Sequence, residues 1–252
     1  MMASGAVEVF RTLYCGTLAT QVAFRFQAQS AFFRSEPSRI YGGMPKLLGL
    51  ARLQRPGYTQ FQLAGVAFAL GLAAAALGIA PKVGLGVALL AFFIYFPPIL
   101  GLGSVMRKAN LVPLVLGILL LAPSNQLLGV QIAVAAVYFS AGIAKLQVSG
   151  WRWMDGVALQ GYFVTAYMWH ERPLALWLSR SRSLCALLST VVLIWELTFP
   201  VAIFFPSMVW VWVVVGVGFH LATSLLMRIH YWVYFGPVYF VFVAPWVAQC
   251  VA

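Results

Sequence analysis

The sequence predicts an all-α fold, a polytopic transmembrane helical bundle of seven or eight helices, and three observations predict it. Of the 252 residues, 63% are hydrophobic and 8% charged, with a mean hydropathy of +0.93. A soluble core cannot absorb that much apolar surface. The apolar residues gather into runs at about 58–80, 83–102, 109–122, 127–148, 184–205, 207–227 and 231–250, each near the ~20 residues a bilayer core demands. If these runs alternate across a membrane, nearly all the basic residues fall on one side of it.

Irregular backbone cannot face lipid, so the runs must be helices or protein-buried re-entrant pieces. Barrel strands alternate in polarity and do not fit runs so uniformly apolar. Residues 1–57 form a basic N-terminal segment with a first membrane or interfacial helix. Its stretch 8–33 is moderately apolar but carries Arg11, Gln21, Arg25, Gln27 and Gln29. A helix buried against the bundle is the preferred reading. An interfacial amphipathic helix is the second. An organelle transit segment is the third, because Arg11, Arg25, Arg34, Arg39, Lys46, Arg52 and Arg55 face only Glu8 and Glu36. A secretory signal is not expected, since no small-residue cleavage site follows a short apolar core.

Residues 58–252 read as one bundle. Pro97-Pro98 interrupts the second run, and the third, the shortest, is tilted or extends back past Lys108. Between the fourth and fifth runs lies 149–183, rich in Trp, Tyr and Arg. It is expected as an extramembrane or re-entrant segment, and connections of that length are usually functional or packed back on the protein.

A net charge of +11 would suggest nucleic acid in a soluble protein. Its distribution argues otherwise. The basic residues of 1–55, then Arg107 and Lys108, then Arg152, Arg172, Arg180 and Arg182, then Arg228, share one side, with Lys82 on the other. This positive-inside pattern puts 34–55, 103–108, 149–183 and 228–230 on the cytosolic, matrix or stromal face. The partners implied are membrane lipids, whose anionic headgroups such a surface attracts, and membrane-protein complex partners. No nucleic acid is needed. Cys15, Cys185 and Cys250 are scattered, so neither a disulfide framework nor a metal site is expected. The residues do not choose between an organelle inner membrane and the endoplasmic reticulum.

Chemistry is carried by the few polar residues on the apolar runs. Lys145 ends the stretch Tyr138-Phe-Ser-Ala-Gly-Ile-Ala-Lys145-Leu146, and a charge at membrane depth is tolerated mainly where it faces a cavity or a partner. Gln131, Tyr138, Gly142 and Lys145 share one helical face, as do Cys185, Ser189, Glu196 and Pro200, and again Gly216, His220 and Ser224. Glu196 is the only acid inside an apolar run, and a lone buried carboxyl is either neutral or paired with a cation. Lys145 is the candidate cation. Each residue alone has a plainer reading: Lys145 snorkels to the interface, and His220 is a hydrogen-bonded packing residue. Three ionisable residues on three polar stripes point instead to a shared interior site. Burial favours a neutral amine and an adjacent carboxylate favours the ammonium, so base and structural cation both stay open.

Tyr138-Phe-x-Ala141-Gly142-x-x-Lys145-Leu146 followed by Trp153-x-x-Gly156 resembles the signature of the HTTM domain, the membrane domain shared by vitamin K-dependent gamma-carboxylase and many homologues. Trp195-Glu196-Leu197-x-x-Pro200 and Gly218-Phe219-His220-Leu221 resemble two further blocks in the same order, so the likeness spans about 135–235. The resemblance implies that a lysine at the position of Lys145 deprotonates vitamin K hydroquinone, oxygen converts the quinol into a strong base, and that base takes a proton from a substrate glutamate before carbon dioxide is captured. It implies a quinone or quinol cofactor, Lys145 as general base, and His220 and Glu196 as orienting groups. Tyr138, Gly142, Trp151, Trp153 and Tyr162 would line the cofactor site and its entrance. The sequence departs from the carboxylase at Ala144, where that enzyme has a second lysine. Asn110 stands without the nearby histidine, and the large luminal region that follows the carboxylase membrane domain has no counterpart before Ala252. With Lys145 toward the cytosolic end, carboxylation of secreted proteins is not expected, and a divergent quinone-type activity is.

A different class of reading is a non-catalytic structural or assembly subunit of a larger membrane complex, with Lys145–Glu196 as a plain ion pair. Haem-based electron transfer would need paired helical histidines, and His170, His220 and His230 do not supply them. Transport would call for broken helices in corresponding halves, and Pro97-Pro98 and Pro113 have no such match.

Overall fold

The computed structural model describes residues 2–35, 56–100, 111–122, 124–230 and 232–244, and every regular element among them is helical. The α-helices are α1 (Met2–Ser35), α2 (Tyr58–Ala76), α3 (Pro81–Leu100), α4 (Leu111–Leu121), α5 (Gln126–Ser149), α6 (Val157–His170), α7 (Pro173–Ser179), α8 (Arg182–Thr198), α9 (Val201–Phe204), α10 (Val209–Met227) and α11 (Trp232–Phe235). Short 3-10 turns occupy Gly150–Asp155, Pro206–Met208 and Pro237–Tyr239. The chain divides into two compact units, Met1–Val130 and Gln131–Ala252.

In the first unit α1 packs along α2 in the opposite direction. Thr12 Oγ1 donates to the Ala76 carbonyl at 2.9 Å near one end. At the other, the Phe33 ring stacks on Phe61 at 4.3 Å and the Arg34 guanidinium lies 4.5 Å over the Tyr58 ring. Phe10, Tyr14, Cys15, Leu18 and Val22 are buried between, so α1 is not an isolated surface helix. Its polar Gln29 is satisfied, because Tyr95 Oη donates to Gln29 Oε1. α2 begins where Gln60 Oε1 accepts from the Gly57 amide at 2.8 Å, the reach-back that satisfies an orphan amide at a helix start. α2 and α3 cross backbone to backbone: a Cβ on Gly71 would stand 2.7 Å from the Gly84 carbonyl, and one on Gly84 2.6 Å from that of Gly71. Small residues permit such crossings. Gly86, by contrast, faces open space.

This packing corrects the charge reading. From Arg11 to Arg34 α1 climbs roughly 35 Å, a full bilayer core. Arg11 lies beside Gly78, 3.8 Å from where a Cβ there would stand, at the Lys82 end of α2. The basic residues of 1–55 are therefore not all on one side: Arg11 joins Lys82, and Arg34 stands at the opposite end. Arg39, Lys46, Arg52, Arg55, Arg107, Lys108 and Asn110 lie outside the described residues.

Three helices among the described residues are long and apolar enough to cross a membrane: Tyr58–Ala76, Gln126–Asp155 and Pro206–Met227. A fourth arises if Pro173–Ser179 and Arg182–Thr198, which meet at 98°, form one broken or re-entrant span. Pro81–Phe96 and Leu111–Leu121 are apolar but shorter. The run at 231–250 is not one continuous helix, for α11 stops at Phe235 and a 3-10 turn opens on Pro237 after Gly236, where proline removes the amide a helix needs. The segment 149–183, expected as an extramembrane or re-entrant segment, is itself largely helical.

Candidate functional site

The second unit gathers the polar stripes. α5 contributes Gln131, whose amide donates to the Val241 carbonyl at 2.6 Å, then Tyr138, Gly142 and Lys145. α8 starts where Ser181 Oγ accepts from the Leu184 amide at 3.3 Å, a serine N-cap. Its buried face carries Cys185, Ser189 and Glu196 of the stripe read from the sequence, together with Leu193, while Pro200 of that stripe lies past the end of the helix.

Lys145 and Glu196 meet. Lys145 Nζ donates to both Glu196 oxygens at 2.6 Å, and the side chains are 20% and 4% exposed. The short distance marks a charge-assisted bond. Gly142 explains how α8 comes close enough: a Cβ there would stand 2.9 Å from Leu197 Cδ2 and 3.3 Å from Glu196 Cβ. Its role is thus close helix packing one turn from the amine.

Over the ammonium lies an indole. Lys145 Nζ is 5.5 Å from the Trp153 ring centre, within cation–π range. Trp153 is held by the turn after α5. Gly156 adopts φ +82, and a Cβ on it would stand 2.8 Å from the Arg182 carbonyl oxygen and 2.9 Å from the Cys185 carbonyl carbon. Only glycine accepts both the left-handed backbone and that approach. Asp155 ties the same corner: its Oδ1 accepts from the Val157 amide at 2.9 Å, its carbonyl accepts from Arg182 Nε at 3.2 Å, and its Oδ2 lies 3.7 Å from Arg182 Nη2. The Trp153-x-x-Gly156 motif is therefore an anchored turn that seats the indole beside Lys145.

Tyr138 and His220 form a second cluster. Tyr138 Oη lies 2.7 Å from His220 Nε2 and 2.7 Å from Tyr239 Oη, with all three residues buried. The Tyr138 ring packs 4.5 Å from both Trp195 and Phe199, and Trp195 Nε1 donates to the Trp212 carbonyl at 2.9 Å. His220 thus belongs to the tyrosine network two turns along α5 from Lys145. Of the expected entrance residues, Tyr162 is 52% exposed with its ring 6.3 Å from Trp153. Trp151 is 70% exposed and makes no hydrogen bond, ion pair or ring contact among the described residues.

Tyr239 and Phe199 were not legible as site residues, because their runs show only length and apolarity. One signal was available for Tyr239: the Gly216 stripe on α10, where a Cβ would collide with the Tyr239 hydroxyl. No group of three or more His, Cys, Asp or Glu side chains suited to a metal occurs among the described residues.

Residues 122–246 match the family model of the HTTM domain. No curated protein and no solved structure matches the chain. The matched stretch contains the ion pair, the anchored Trp153 turn and the tyrosine–histidine network, and every member of these but Tyr239 and Arg182 comes from the blocks of the expected signature or the turn between them. Over residues 122–246 the protein belongs to the HTTM-domain family, and with its long apolar helices it is a multi-pass integral membrane protein.

Proposed function

We propose that the Lys145–Glu196 pair is a membrane-embedded proton acceptor for a quinol-type apolar cofactor. The observation that carries this reading is an amine bonded to both oxygens of a carboxyl that is 4% exposed, while its own side chain stays 20% exposed. The carboxyl is dry, and the amine is reachable. An ammonium has three N–H donors, and two are used by Glu196, so one is left to meet an oxygen of a bound molecule. Lys145 Nζ passes one of its protons to Glu196 and, as the amine so formed, takes the quinol hydroxyl proton, so that the pair ends as an ammonium beside a neutral carboxylic acid. The quinolate anion that remains is held by the ammonium, charge for charge. A general base must come within hydrogen-bond reach of the proton it takes, and Lys145 is the member of the pair that does so. Glu196 orients the amine, and the Tyr138–His220–Tyr239 network holds the α5 face in register.

The likeness to the gamma-carboxylase membrane domain supports a quinol as the apolar acid. The bundle is completed to seven or eight crossings by the shorter apolar helices and α1. The test is spectroscopic: menadiol (2-methyl-1,4-naphthohydroquinone) is added without oxygen to wild type, Lys145→Met and Glu196→Gln in mild detergent, and the quinolate absorbance is followed. Wild type should develop it at a pH where free menadiol does not, and Lys145→Met should not. No quinolate in wild type overturns the reading.

A non-catalytic assembly subunit is the second reading, favoured by the same two-oxygen geometry, which braces α5 against α8. On that reading Lys145→Met loses stability or partner proteins while no quinol binds to the wild type.

A further inference from the structure

We infer that the indole N–H of Trp153 is a ligand-binding group, a hydrogen-bond donor to an acceptor oxygen on the molecule that Lys145 meets. The inference rests on the reading that an oxygen-bearing apolar ligand reaches the Lys145–Glu196 pair, and it assigns that ligand a second point of attachment.

Trp153 Nε1 is shielded from solvent and has no hydrogen-bond partner among the described residues. Indole N–H is donor only, and a buried indole ordinarily finds an acceptor, because leaving the donor unmade costs the desolvation of the group. Buried polar atoms without partners are few in folded proteins, and each calls for a cause. For Trp153 the surroundings supply one. Its ring stands 5.5 Å from Lys145 Nζ. Its backbone is fixed by the Gly156 turn and by the Asp155–Arg182 contacts, so the ring is held rather than free to swing toward solvent. On its other side it packs against Tyr162, at 6.3 Å between ring centres.

The result is an ammonium with one N–H to spare and an indole N–H without a partner, on side chains that lie against each other. A ligand that carries acceptor oxygens gives both donors a partner. A phenol or quinol oxygen fits, and its deprotonated form fits better, since hydrogen bonds to a charged acceptor are the stronger ones. An aliphatic ligand without oxygen gives neither donor a partner. Trp153 is a binding residue here and moves no proton. It selects for a ligand that carries an acceptor oxygen.

The experiment uses the full chain, labelled with 15N at the tryptophan indoles, in mild detergent. The Trp153 resonance is the one lost in Trp153→Phe, a substitution that keeps an aromatic ring beside Lys145 and Tyr162 and deletes the donor. Menadiol is titrated without oxygen, and its binding is measured in parallel by equilibrium dialysis. The expected result is a downfield move of the Trp153 indole proton that saturates with binding, in wild type and in Lys145→Met alike. Trp153→Phe should bind menadiol about fivefold more weakly, the effect of one ordinary hydrogen bond. If menadiol binds but the Trp153 resonance stays in place and Trp153→Phe binds equally well, the inference is wrong and the quinol reading survives. If wild type binds no menadiol, both fall together.

Discussion

Removing either partner of the Lys145–Glu196 pair should harm the fold more than removing both. In Lys145→Met the carboxyl of Glu196, 4% exposed, loses its cation. Breaking a buried pair from one side costs about 3–5 kcal/mol, because a desolvated charge is stranded. The Lys145 side chain is 20% exposed, so water softens the loss, and the lower figure of about 3 kcal/mol applies. Glu196→Met strands the better-solvated partner and should cost about half as much. The double variant presents methionine to methionine across α5 and α8, an apolar contact in an apolar bundle, and should lie within about 1.5 kcal/mol of wild type. The coupling is then at least about 3 kcal/mol, the top of the range for touching residues. Reversible unfolding by sodium dodecyl sulfate in mixed micelles, followed by tryptophan fluorescence or circular dichroism, measures all four corners. Losses that add to within about 0.5 kcal/mol would mean that amine and carboxyl do not interact. The proton-acceptor reading and the structural-pair reading would both lose their basis.

Other substitutions test the packing that positions the pair. Gly156→Ala forces a Cβ into the Arg182 and Cys185 backbone at a left-handed residue; a loss of ~2 kcal/mol or more, with a shifted Trp153 indole resonance, is expected in the unfolding assay. Tyr138→Phe removes the hydroxyl shared by His220 and Tyr239 and should cost about 1–3 kcal/mol, measured in the same way, while leaving the Lys145–Glu196 coupling intact. Gly71→Ala pushes α2 off α3 at the Gly84 crossing; a destabilisation of about 1–3 kcal/mol is expected, and Gly86→Ala, facing open space, should cost nothing measurable. Thiol labelling of Gly5→Cys and Lys82→Cys in sealed vesicles should come from the same side, as the Arg11–Gly78 approach requires.

What the sequence made legible follows from what each residue has to do at membrane depth. Glu196 and Lys145 could be paired in advance because neither charge is tolerable alone in an apolar helix, and the helical period put each on a polar stripe. Gly142 was readable as a small residue on the Lys145 face for the same reason of period. The His220 partner was not legible, since a histidine on a small-residue stripe can bond to any neighbour, and the tyrosine that joins it lies two turns from Lys145 on the same face. The helicity of 149–183 was hidden by its arginines and by Pro173, which reads as a loop signal yet sits at the first turn of α7, where proline is tolerated. The direction of α1 was hidden because alternation of spans was counted from residue 58, and an unpaired first helix leaves the side of Arg11 undetermined.

The register between α5 and α8 explains why these residues come as a set. Along α5, Tyr138, Gly142 and Lys145 meet successive positions of α8: Tyr138 packs on Phe199 and Trp195, Gly142 lies against Leu197 and Glu196, and Lys145 grips Glu196. Sliding α8 by one turn in either direction would take the Leu197 and Glu196 side chains away from Gly142 and would move Glu196 roughly 5.4 Å from the amine. Aromatic packing, the close contact at Gly142 and charge pairing therefore specify the same register, and a change that relaxes one is opposed by the other two. Such agreement is what a buried ion pair needs to repay its desolvation, since its attraction offsets that cost only when the geometry is held. It also fixes where reactivity can reside. The carboxyl is committed to α5 on both oxygens, and the ammonium, with one N–H beyond that pairing, is the partner that stays accessible beside the Trp153 ring.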